Sequence, residues 1–111
     1  METIVYTKGY GIKKFDSFEE INRKSYEPHR NCKEGPAVIT YGPDGQILIE
    51  RYMENGLLHN EFGPAVIIYK DRFPNYKKDN LKIWKEYWLY NNFFVESEWK
   101  QLMIKKVIQM L

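Results

Sequence analysis

Gly35-Pro36-Ala37-Val38-Ile39-Thr40-Tyr41 returns 28 positions later as Gly63-Pro64-Ala65-Val66-Ile67-Ile68-Tyr69. A histidine precedes each copy, His29 and His59. The second half of the unit repeats too, with Glu50-Arg51-Tyr52-Met53-Glu54-Asn55-Gly56 lined up against Glu86-Tyr87-Trp88-Leu89-Tyr90-Asn91-Asn92. The landmarks keep one order in both copies: His, Gly-Pro-Ala, Tyr, then Glu, an aromatic and Asn. Self-similarity at such a period marks one supersecondary unit used twice.

Each landmark has a physical task. Gly lets the backbone turn through positive φ. Pro fixes φ and has no N–H, which suits the first residue of a strand. Ala is small where chains approach closely, and the Val, Ile and Tyr that follow favour pleated structure. Tyr41-Gly42-Pro43-Asp44-Gly45 carries Pro early and Gly late, a turn signal, so Ile47 to Met53 is expected as the returning strand. Asn55-Gly56 reads as a two-residue type I′ hairpin turn into the next unit. The expected fold is mainly β, an antiparallel meander of about five or six strands.

The copies differ in one place. Tyr41 to Glu50 spans nine positions and Tyr69 to Glu86 spans seventeen, so eight residues are inserted at a hairpin tip, within Lys70 to Asn80. From Lys70 to Lys85 there are six basic and two acidic residues, which leaves the remainder net acidic by two. The ends are of another kind. Ile4-Val5-Tyr6 is a short strand candidate, and Ser17-Phe18-Glu19-Glu20 is a capping box opening a short helix to about Lys24, with Phe18 and Ile21 turned inward. Ser97 can cap a second helix through Met110. Trp99, Leu102, Met103, Val107 and Met110 fall at helical spacing, and Ile104, Ile108 and Leu111 widen the stripe. A meander leaves one face needing cover, and this C-terminal helix is the expected lid, with dimerisation through the same stripe as the alternative. One domain is expected over 1–111: an N-terminal strand and helix segment (1–28), the two repeats (29–94) and the terminal helix (95–111).

Composition narrows the function. With 111 residues the chain can bury a modest core, and 43% apolar content argues against wholesale disorder. Aromatics make up 16%, beyond what such a core needs, and Tyr and Trp are common both in strands and at interaction surfaces. A net charge of +2 is small for a nucleic-acid binder. No stretch has the roughly 18 apolar residues of a membrane span. The start, Met-Glu-Thr-Ile-Val-Tyr-Thr-Lys, lacks signal-peptide character, and the single Cys32 cannot form an internal disulfide. A soluble, intracellular protein is expected.

The pattern His-x-x-x-Gly-Pro-Ala-x-Ile-x-Tyr, followed by Glu-x-aromatic-Leu-x-Asn-Gly, resembles the variant MORN-type repeats. Asn91-Asn92-Phe93-Phe94-Val95-Glu96-Ser97-Glu98-Trp99 is similar to that family's strand end and helix opening. The resemblance covers residues 29–100, with departures at Asn92, at the longer His29-to-Gly35 spacing and at the inserted loop. Such repeats occur in bacterial, phage and large-DNA-virus proteins, including an antitoxin-like group. The resemblance implies an interaction scaffold in a bacterial or host cytoplasm.

Chemistry is not expected. Zinc prefers four ligands in paired spacings, and the chain offers one Cys beside His29 and His59. No orienting group completes a Cys–His pair. Glu50 and Glu86 occupy matching places in the repeat, which makes them scaffold, and no Gly-rich loop cradles a phosphate. Neither metal nor cofactor nor catalytic residue is predicted. Alternation puts Leu48, Glu50 and Tyr52 on one face, with Ile47, Ile49 and Met53 on the other. In the second copy Trp84, Glu86 and Trp88 share a face. Loops on rigid scaffolds carry function. The predicted partner-binding residues are therefore Arg72, Phe73, Tyr76, Lys77 and Lys78 of the loop with Trp84 and Trp88. The expected function is stoichiometric protein binding, as an inhibitor, antitoxin or adaptor, with a phage-encoded inhibitor of a host defence system as a special case. The alternatives are nucleic-acid binding by the same loop and a structural role as a homodimer or assembly subunit. A membrane partner is not expected, since Lys100, Lys105 and Lys106 describe any solvated helix back.

Overall fold

Short β-branched and aromatic strands joined by tight turns fold the chain into a run of hairpins. The computed structural model describes residues 2–24, 26–78 and 80–110; Asp79 of the inserted loop and Leu111 of the terminal stripe lie outside them. In chain order the elements are β1 (Thr3–Thr7), β2 (Gly11–Phe15), α1 (Glu19–Lys24), β3 (Val38–Tyr41), β4 (Ile47–Arg51), β5 (Met53–Glu54), β6 (Leu57–Leu58) and β7 (Val66–Tyr69). A 3-10 turn (Lys70–Arg72), β8 (Ile83–Leu89), β9 (Asn92–Phe94) and α2 (Glu96–Met110) follow. Seven strands make one antiparallel sheet in the order β2-β1-β3-β4-β7-β8-β9, and β5 with β6 form a small ribbon. The mainly β meander with one short and one C-terminal helix is therefore the observed fold, with more strands than expected.

The repeat is real in the backbone but shifted by one residue from its sequence alignment. Ala37 N–H donates to the Arg51 carbonyl at 2.9 Å, and Ala65 N–H to the Glu86 carbonyl at 2.8 Å. Val38 accordingly faces Arg51, and Val66 faces Glu86. Arg51, not Glu50, is the counterpart of Glu86. By the same ladder Ile49 matches Trp84, since Thr40 faces Ile49 and Ile68 faces Trp84. The insertion is then seven residues, from nine positions between Thr40 and Ile49 to sixteen between Ile68 and Trp84. Because strand side chains alternate, the slip moves a residue to the other face. Glu50 pairs with Ile67, so Glu50 and Glu86 lie on opposite faces and their shared role disappears.

The turns obey the corrected register. Asn55 and Gly56 take φ of 52° and 75°, as a type I′ turn requires, and Tyr90 and Asn91 take 46° and 67° in the second copy. Each repeat's histidine holds its turn: His29 Nδ1 accepts the Asn55 N–H at 2.8 Å, and His59 Nδ1 accepts the Tyr90 N–H at 3.0 Å. Strand β1 behaves as part of a further unit, because Val5 faces Val38 just as Arg51 faces Val66.

Helix α1 covers one sheet face over β1, β3 and β4. Ile21 sits in the core with Val5, Phe15, Ala37 and Val38, and Phe18, Tyr26 and Met53 pack against that cluster. The Glu20 carboxylate accepts the Asp16 N–H at 3.4 Å, one residue before the Ser17 expected as the cap, and the helix opens at Glu19. The lid is thus α1 and not α2, which is the main correction to the expected packing. Trp99 is the buried residue of α2. Its indole N–H donates to the Asn60 carbonyl at 3.3 Å and its ring lies 5.0 Å from that of Tyr87. Lys106 pairs with Glu61. Leu102, Ile104, Val107, Ile108 and Met110, expected to pack, are exposed. Among the described residues no helix is long and apolar enough to cross a membrane.

Candidate functional site

Beyond α1 the same face continues across β7, β8 and β9, where Val66 is buried and Trp84 and Phe93 are exposed. Its floor is Ile68, Trp84, Glu86 and Trp88, with Phe93 of β9 facing Trp88. Glu86 organises this surface. One carboxylate oxygen accepts the Trp84 indole N–H at 3.0 Å, and the other accepts that of Trp88 at 3.0 Å. Both indoles are thus fixed in orientation, which lowers the entropy they lose on contact. Phe93 meets Trp88 edge to face at 5.4 Å. Trp84 remains 40% exposed and Phe93 56% exposed, against 8% for Trp99.

The inserted loop forms one wall. Phe73, Asn75, Tyr76 and Asn80 enclose with Ile68 and Lys70 a cavity of about 290 Å³. The Tyr76 hydroxyl donates to the Asn80 carbonyl at 3.1 Å, holding the loop on itself. Lys70 places its ammonium 5.0 Å from the Trp84 ring, a cation–π contact that ties loop to strand. Lys77 and Lys78 are exposed beyond it. Of the seven residues predicted from sequence, Phe73, Tyr76, Trp84 and Trp88 come together here, with Lys77 and Lys78 on the rim.

Arg72 does not join them. Its guanidinium stacks 4.1 Å from the Tyr69 ring and donates to the Ile47 carbonyl at 2.7 Å. Tyr69 belongs to the opposite face, where its hydroxyl donates to Glu50. Burial, with the Glu50 carboxylate beside it, pushes the Tyr69 hydroxyl up to about 12. Arg72 is thus a fastener of the loop and not part of the aromatic surface.

No family model, no curated protein and no solved structure matches the chain.

A second polar cluster was not foreseen in the sequence. Cys32 Sγ, a Glu54 oxygen and a His59 ring nitrogen lie within 4.8 Å of one another, and Glu61 Oε1 is 3.4 Å from His59 Nε2. The sequence set Cys32 beside both His29 and His59, of which the structure brings His59 to it, and the two glutamates carried no signal. The cluster has a structural reading. His59 Nδ1 accepts the Tyr90 N–H, which leaves the proton on Nε2, so the nitrogen 3.4 Å from Glu61 is a donor. A cation would have to displace that proton first. Burial also pushes the Cys32 thiol up, which keeps it protonated. Glu61 in turn holds Lys106, and its carboxyl lies below the usual range, first through that hydrogen bond. The cluster joins the second turn to α2.

Proposed function

We propose that this chain is a non-enzymatic protein-binding module, acting as a small stoichiometric inhibitor, antitoxin or adaptor, and that it grips its partner with the aromatic face of the second repeat. The observation that carries the reading is the position of Trp84, Trp88 and Phe93. They occupy the sheet face that α1 covers in the first repeat, and there Trp84 and Phe93 stay exposed while Val66 of β7 is buried. Tryptophan and tyrosine are the residues on which binding energy concentrates, and large uncovered apolar surface on a small domain marks interaction. The likeness to variant MORN-type repeats supports a scaffold role, including an inhibitor of host defence encoded by a phage. Purification from the native source followed by reconstitution tests it. One protein should bind the purified chain at close to equal stoichiometry, and a Trp84→Ala, Trp88→Ala double variant should fold but bind it at least about a hundredfold more weakly, since hot-spot truncations cost about 2 kcal/mol or more each. Unchanged binding by a folded double variant would remove the face from the account.

Self-assembly is the second reading, favoured by the exposed Ile104, Val107 and Ile108 of α2. Light scattering separates the two: a concentration-dependent dimer abolished by Ile104→Glu would favour assembly.

A further inference from the structure

The first repeat displays what covers this kind of face. Over β1, β3 and β4 lies α1, with Ile21 in the core and the Arg51 guanidinium 3.9 Å from the Phe18 ring. Its first turn is acidic, Glu19 and Glu20. One repeat along, the ladder puts Arg51, Val66 and Glu86 where Val5, Val38 and Arg51 stand. It likewise puts Ile49, Ile68 and Trp84 where Thr3, Thr40 and Ile49 stand.

The geometry of that second position has the width of a helix. A repeat advances the sheet by two strands, about 10 Å. Helices packed side by side stand about 8–10 Å apart. The trough has walls on both sides: Phe18 and Glu19 of the α1 segment meet Ile49 and Arg51 around a cavity of about 120 Å³, while Phe73 and Tyr76 flank Ile68. Its charge is also directional. Lys70, Lys77, Lys78 and Lys82 stand along the loop and its approach to β8, while Lys85 pairs with Ile67 and belongs to the opposite face.

We propose that the trough takes a short helix of a partner protein, seated beside α1 and carrying α1-like chemistry: a large apolar side chain next to acidic residues. The apolar side chain packs between Trp84 and Ile68, and the carboxylates meet the lysines of the inserted loop. This rests on the protein-binding reading above and names the partner element.

The test uses the full chain with ¹⁵N-labelled tryptophans and, as probe, a lactam-stapled helical peptide carrying this chain's own residues 16–24. The indole N–H signals of Trp84 and Trp88 should shift saturably while that of Trp99 stays in place. The same peptide with Phe18→Ala should bind about tenfold more weakly or worse, the scale of one apolar anchor. No shift at Trp84 and Trp88 with the stapled peptide would overturn the helix proposal, and leaves the reconstitution experiment to judge protein binding separately. Equal binding by a proline-broken version would overturn the helix and keep a peptide partner. Binding by an oligothymidylate alone, lost with added salt, would overturn both.

Discussion

The two repeats share a backbone and part at the side chains of one face. In the first, Ile49, Arg51 and Met53 lie under or beside α1, with Met53 packed on the core and Arg51 on the Phe18 ring. In the second, the matching positions are Trp84, Glu86 and Trp88, with Trp84 40% exposed and both indoles tied to one carboxylate. Burial of Arg51 lowers its pKa, a cost that Glu19 and Glu86 partly offset by their charge. The first repeat thus spends its face on folding. The second keeps its face rigid and open, and a small domain gains nothing in stability from holding indoles in water.

That contrast can be broken or sharpened by substitution. Ile21→Ala, under the first repeat's face, should cost about 2–5 kcal/mol in chemical denaturation, whereas Trp84→Ala should cost about 1 kcal/mol or less. Equal costs would mean that the two faces are not different in kind. The glycines give a second matched pair. Gly35 has φ of 139° and an added Cβ would sit 2.9 Å from Arg30 Nη1, while at Gly63 the nearest atom would be 3.8 Å away. Gly35→Ala should destabilise by more than about 1 kcal/mol, and Gly63→Ala should be neutral or stabilising by about 0.4–1 kcal/mol. The smallest effect concerns the α2 anchor. Lys106 holds the Glu61 carboxyl below the usual range, so this contribution is present above the ordinary carboxylate pKa and fades as pH falls through Glu61's own lower one. Trp99 fluorescence should report loosening of α2 over that acid range, and Lys106→Gln should weaken the dependence, since His59 also lowers the Glu61 carboxyl.

Much of the fold was legible because the repeat residues have backbone tasks. Pro36 and Pro64 stand two residues before β3 and β7, and Asn55-Gly56 makes the turn its sequence names. The alignment slipped because Glu50 and Glu86 are chemically alike, whereas register is set by the amide of Ala37 and Ala65, which no side chain advertises. Tyr90 at φ 46° hides the second turn for the same reason: His59 stabilises a conformation that the residue itself does not prefer. The α2 stripe has helical spacing whatever it packs on, so sequence could show the helix and not its contact. Phe73, Tyr76, Trp84 and Trp88 were readable as a group from composition and from the insertion. Arg72 was not, because a cation in an aromatic loop looks the same whether it faces a partner or staples the loop to Ile47.

Solvent access of the individual tryptophans tests the account most directly. In single-tryptophan variants with the other indoles changed to Phe, acrylamide should quench Trp84 freely and Trp99 poorly in the free chain. Once the reconstituted partner is bound, Trp84 should become as protected as Trp99. A Trp84 already shielded in the free chain, or still quenched in the complex, would contradict an open face built for binding.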